Sequence, residues 1–151
     1  MGGGFSISNM PNNTEYNFFC DPEAVDIVLN NPVKKVLIPL DLTHQIIFNK
    51  KDIENFTIGK NNSNIFKLLK DIFIKNYEAG LKFGESGAVL HDTIAAAYFY
   101  FPENFETSEE RVIVNQFGAI KNDPAGTPVK VVKKINPLFF KDYIRNIFKE
   151  L

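Results

Sequence analysis

The sequence has no tryptophan and a single cysteine, Cys20. One thiol excludes an internal disulfide framework and a cysteine-built zinc site. It also suits a reducing compartment, so a cytoplasmic location is expected. No apolar run approaches the roughly 18 residues that suggest a membrane span. The start is glycines and polar residues, with no basic patch and apolar block of a secretory leader. Neither charge is in surplus: 17 Lys and Arg face 18 Asp and Glu, for a formal net charge of -1. Without a basic field, nothing draws the chain to nucleic acid or anionic lipid, and neither a nucleic-acid nor a membrane partner is expected. Lys130, Lys133 and Lys134, with Lys141, Arg145 and Lys149, read instead as solvated faces. Internal repeats and low-complexity segments are also missing.

What remains is globular: 151 residues, 44% of them hydrophobic, fit one domain spanning 1–151 with a sizeable core. Asp21 before Pro22 signals a helix start, and Asn30-Asn31-Pro32 its stop. Lys35 to Leu40 is a short apolar run that reads as a buried strand. Gln45 to Phe56 reads as a helix broken near Asn49, followed by a polar loop from Thr57 to Asn64. Capped by Ser63 or Asn62, a long helix then runs from Ile65 to about Phe83, with Gly84 placed to end it. The stretch Ile94 to Phe101 has no polar face and predicts a helix buried all round, with His91 and Asp92 at its start. Residues 110–115 and 127–133 read as two strands of a hairpin with a long tip, and Asn136-Pro137 opens a last amphipathic helix.

Three places carry groups suited to chemistry. The opening residues set Asn9, Glu15 and Asn17 within one short stretch. Asn both donates and accepts, an ionised Glu only accepts, and a sugar hydroxyl does both, so the set suits a polyhydroxylated ligand. An Asn-rich turn is the simpler reading of the same residues. The second place is Pro39 to Gln45, where a strand ends and a helix begins; ligands bind at such ends in α/β sheets. His44 lies there, and bonding to the adjacent strand end or capping the helix explains it without catalysis. The third is His91-Asp92-Thr93, where Asp92 could cap the helix. Met1 to Ser6 also fits the short myristoylation pattern, which chance meets easily.

Taken in order, Met1-Gly2-Gly3, Ser8-Asn9, Thr14-Glu15-Tyr16-Asn17, Asp21-Pro22-Glu23-Ala24, Pro39 to Gln45 and Leu90-His91-Asp92 resemble the second half of the inosine-uridine-preferring nucleoside hydrolases. The resemblance implies an α/β, Rossmann-like, mostly parallel sheet flanked by helices. The first strands would be missing, and a β-hairpin and helix would close the chain. It implies hydrolysis of the N-glycosidic bond of ribonucleosides to ribose and free base, as in purine and pyrimidine salvage. By resemblance, Asn9, Glu15 and Asn17 hold the ribose hydroxyls, Asp92 ligates a calcium ion, His91 assists the departing base, and Phe83 lies near it. Members of the family form dimers or tetramers, so a homo-oligomer is implied. The departure is the family's aspartate cluster of the D-x-D-x-G-x-D-D type, which supplies most calcium carboxylates and the general base and has no counterpart here. The expectation is a C-terminal portion, inactive alone, with the N-terminal half encoded separately; the alternative is a non-catalytic ribonucleoside-binding or regulatory remnant.

Overall fold

The computed structural model describes residues 1–57 and 63–151, and most of its helices begin where a side chain can cap them. Helices α1 (Tyr16–Cys20) and α2 (Pro22–Asn30) start at Glu15 and Asp21, and Asp21 Oδ1 accepts from Ala24 N at 2.9 Å. Strand β1 is only Val36–Leu37, and α3 (Leu40–Thr43) follows at once. The expected strand over Lys35–Leu40 is cut short because Pro39 has no N–H for a ladder and stands at the N-cap of α3. Next come α4 (Lys50–Thr57), α5 (Asn64–Lys82) and α6 (His91–Tyr100). Strands β2 (Phe105–Val114), β3 (Ile120–Asn122) and β4 (Thr127–Ile135) lead to α7 (Pro137–Glu150).

Two expectations are corrected. Residues 45–49 are not helical, because Phe48 exchanges two backbone hydrogen bonds with Ala88, each 2.9 Å. Asn49 and Asp52 then cap each other: each side chain accepts the other's backbone N–H at 3.0 Å, and α4 starts there. Helix α6 is not buried all round, since Ile94 and Ala97 are buried while Phe99 is 79% exposed and Tyr100 69%. The expected hairpin tip holds the extra strand β3, and the polar loop of residues 57–64 lies mostly outside the described residues.

The chain divides into two compact units, Met1–Gln45 with His91–Ile135, and Ile46–Leu90 with Asn136–Leu151. The first contains a mixed sheet in the order β1-β4-β2-β3. Only β1 and β4 run parallel, pairing Val36 with Lys130 and Leu37 with Val131; the other pairs are antiparallel. Its core gathers Leu29, Leu37, Val112, Ile120, Val129 and Val131, with Phe5, Phe18 and Val25 against them. Burying each such side chain contributes roughly 1.5–3 kcal/mol. The second unit is built on phenylalanines. Phe73 of α5 meets Phe48, Phe56 and Phe148 with ring centroids 5.3, 6.1 and 5.7 Å away, mostly edge to face. Lys141 of α7 bonds Asp52 of α4 at 2.7 Å and lies 5.5 Å from the ring centroid of Phe48. Gly84, with φ of +83°, follows α5 as expected.

Candidate active site

The first unit assembles its polar groups around the end of β1. Residues 9–14 form the expected Asn-rich turn: Thr14 O accepts from Asn9 N and Met10 N at 3.1 Å each, and Asn12 and Asn13 take φ of +62° and +57°. Asn tolerates this left-handed backbone. The turn delivers Glu15, which is 2% exposed. Its Oε1 accepts from Asn17 N at 2.9 Å, and its Oε2 from Gly3 N at 2.9 Å and Phe18 N at 3.2 Å. Three amide donors satisfy a buried carboxylate that would otherwise be costly. About four acceptor positions exist on a carboxylate, and these amides take three of them. Asn9 is tied to the same helix start, its Oδ1 accepting from Tyr16 N at 2.9 Å. Asn17 is exposed, and its Nδ2 reaches Met1 O at 3.4 Å.

The glycine segment runs from Glu15 to the end of β1. Gly2 N donates to Ile38 O at 3.1 Å, and Leu40 N donates to Gly3 O at 2.9 Å. Gly3 has φ of +69°, and a Cβ there would stand 2.7 Å from Ile120 Cδ1, so only glycine fits without a shift. Asp41 then takes hold of the loop: its Oδ2 accepts from Phe5 N at 2.7 Å and its Oδ1 from Ser6 N at 2.8 Å. Two residues on, Thr43 is fully buried, and its Oγ1 lies 2.9 Å from Nδ1 of His91. His91 is the first residue of α6 and half-buried, while Asp92 beside it is exposed in the first helical turn.

Hydrogen bonds connect Asn17, Glu15, Gly3 and Leu40, Asp41 bonds the glycine loop at Phe5 and Ser6, and the backbone of α3 carries Asp41 on to Thr43, which meets His91. The sequence places Asp41 and Thr43 at the strand end where ligands bind in α/β sheets, but gives neither a role of its own. The signal lies in their place, since both residues fall just after a strand end. His44 bonds its own turn, with Nδ1 3.0 Å from Leu40 O, as the structural reading of it expects. Its ring centroid is 5.4 Å from that of His91. Phe83 belongs to the other unit, where it is the C-cap residue of α5 and is 86% exposed.

Two cavities border these elements. One, of about 380 Å³, is largely apolar and lies along α2 and β1, lined by Ala24, Val25, Val28, Leu37 and Val129, with Asn17 at its edge. The other, of about 450 Å³, is lined by Gly4 to Ser8, Asn12, Asn13 and Asn115. Neither is lined by His91 or Asp92. Among the described residues no three His, Cys, Asp or Glu side chains stand together as a metal site. Calcium takes six to eight oxygens, so Asp92 and its neighbours do not by themselves fit that ion. No described helix is long and apolar enough to cross a membrane.

The sequence profile of the inosine-uridine preferring nucleoside hydrolases matches residues 1–142, and the chain belongs to that family of ribonucleoside hydrolases. It is 37% identical over 119 residues to the pyrimidine-specific ribonucleoside hydrolase RihA of Salmonella newport (strain SL254), covering 78% of this chain and 38% of that protein. The same protein of Salmonella enteritidis PT4 (strain P125109) is 38% identical over the same shares. Among solved structures, the inosine-uridine preferring nucleoside hydrolase of Bacillus anthracis superposes with a TM-score of 0.73 at 27% identity, over 100% of this chain and 50% of that one. The purine-preferring ribonucleoside hydrolase of Gardnerella vaginalis shares the fold with a TM-score of 0.82 at 23% identity, over 100% and 52%. The chain thus spans about two fifths to one half of these relatives. The α/β class expected from sequence is therefore the observed one, with a sheet that is mixed in the described residues.

Proposed function

We propose that this chain carries the ribose-binding and base-side part of an active site that hydrolyses the N-glycosidic bond of ribonucleosides. The observation that carries the reading is the placing of the Asn9-Glu15-Asn17 loop and His91 against the two ends of one short path, Gly3 to Phe5 and Asp41 to Thr43, with hydrogen bonds at Glu15–Gly3, Asp41–Phe5 and Thr43–His91. The Salmonella relatives are named for pyrimidine nucleosides and the Gardnerella enzyme for purine ones. Ribose is what such substrates share, so the acceptors of Glu15 and the amides of Asn9 and Asn17 are assigned to its hydroxyls. His91 gives a hydrogen bond or proton to the departing base, a contribution worth about 100-fold to 10,000-fold in rate. Phe83 is assigned to the base side on family resemblance alone. Asp92 is assigned as one ligand of a calcium ion whose other carboxylates this chain does not provide.

The remaining carboxylates and the base that activates water belong, in this reading, to the complementary half of the fold. The solved relatives are about twice as long. Strand β1 lies at the sheet edge, Val36 on it is 45% exposed, and Val28 beside the apolar cavity is 57% exposed. An uncovered parallel edge with apolar flanks calls for further strands and helices. The complementary half, upstream in the same polypeptide or separately encoded, is the occupant we assign. Exposed Cys20 suits work in a reducing cytoplasm.

The test is hydrolysis of inosine and uridine with calcium, by the chain alone and with the complementary half of a relative. We expect background rates alone, and turnover with the half that His91→Ala and Asp92→Ala each abolish. Full turnover by the chain alone would overturn the division of labour. Nucleoside binding without turnover in the complemented protein would favour a binding remnant.

A further inference from the structure

We propose that Thr43 is a positioning residue that holds the neutral ring of His91 as its Nε2–H tautomer, so that the ring's N–H is at Nε2. The role rests on His91 being the base-side group; the geometry behind it does not. Thr43 Oγ1 lies 3.2 Å from the Leu40 carbonyl oxygen, which only accepts, and 2.9 Å from Nδ1 of His91, which accepts or donates according to its tautomer. A hydroxyl has one proton, so it can donate fully to only one of them.

The Leu40 oxygen is already occupied. His44 N donates to it at 3.0 Å, and Nδ1 of His44 lies 3.0 Å from it. A carbonyl oxygen only accepts, so this second contact requires Nδ1–H on His44. Two N–H donors fill the two lone pairs of that oxygen. The Thr43 contact is the longest of the three, and the remaining place for its proton is the shorter contact to His91. An Nδ1 that accepts a hydrogen bond carries no proton. The neutral ring of His91 therefore has its proton on Nε2.

The arrangement is well protected. Thr43 is fully buried on α3, where its neighbours Leu40 and Leu42 are also fully buried. A β-branched side chain has few rotamers, which fixes where the hydroxyl oxygen sits. On α3, the Thr43 hydroxyl is the group that meets Nδ1 of His91.

Long-range proton–nitrogen NMR of the labelled full chain reads this directly, well above the ordinary imidazole pKa of about 6.5. The chain has two histidines, so a His91→Gln sample, which leaves His44 in place, assigns the signals by difference. Wild type is expected to show His91 with Nε2 protonated and Nδ1 bare. Thr43→Val, which keeps the shape but not the hydroxyl, is expected to give a mixture of tautomers, and Thr43→Ser to restore the single form. A protonated Nδ1 in wild type overturns the proposal, as does an unchanged spectrum in Thr43→Val. Should Thr43→Val not fold, the wild-type signal and Thr43→Ser still decide. Failure to turn over nucleosides with the complementary half leaves this spectrum untouched, so the two readings fail separately.

Discussion

Glu15 shows how one side chain can serve both structure and chemistry. It caps α1 and fixes Gly3, and in the proposed reading it also accepts from a ribose hydroxyl. Glu15→Gln replaces one acceptor oxygen by a donor and sets it against backbone N–H groups. Leaving such buried donors unmatched costs about 1–3 kcal/mol each. We expect the variant to lose about 2 kcal/mol in urea unfolding. A loss below a few tenths of a kcal/mol would mean that the carboxylate does not hold the loop. Glu15 and His91 could be nominated from the sequence as candidates because they sit in recognisable short motifs. Thr43 could not, since a threonine after an apolar run looks the same whether it caps, packs or bonds a ring 48 positions away.

At the scale of elements, the pairing of β2 with β4 includes a charged cross-strand contact. Lys133 Nζ lies 3.0 Å from Glu110 Oε1, and Ser108 Oγ donates to the same oxygen at 2.8 Å. The hydrogen bond from Lys133, followed by that from Ser108, holds the Glu110 carboxyl below its ordinary value of 4.5. A depressed folded pKa means stability that is present above the unfolded pKa and lost as pH falls through the folded one. The pair is partly exposed, so its worth is about 0.2–1 kcal/mol. Unfolding free energy should fall by that amount as the medium is acidified below about pH 4.5, and Glu110→Gln should flatten this part of the profile. An identical acid profile in the variant would assign the loss to other carboxylates. The hairpin and most helices were readable from caps and alternation, whereas the stretch after Gln45 was not. Its apolar residues fit a helix, but Phe48 pairs with Ala88, a tertiary contact that no local pattern announces.

For the molecule as a whole, the proposed division of labour rests on the β1 edge, where we assign the complementary half. Val36→Lys places a charge on that edge, a natural device against strand addition. The variant should keep its own fold, because Val36 is already 45% exposed. Its affinity for the complementary half should drop by roughly tenfold or more, about 1.4 kcal/mol. Titration calorimetry would measure it, and equal affinity would place the docking surface elsewhere. Family membership was legible from the order of motifs, which survives changes at single positions. The strand order was not, because β1 and β4 are 94 residues apart at the pair Val36 and Lys130 and nothing local couples them.

That separation also bears on the order in which the molecule assembles. The bonds of the site close loops of 12 residues at Glu15 and Gly3, 36 at Asp41 and Phe5, and 48 at Thr43 and His91. Closure entropy rises with loop length, and non-local contacts form slowly. The short Glu15 loop can close early in folding. The Thr43–His91 contact requires α3 and α6 to be docked first. In refolding followed by hydrogen exchange, the amide of Gly3 should become protected before the ring of His91 reaches its native resonance, so the Glu15 loop is set before the contact that orients His91.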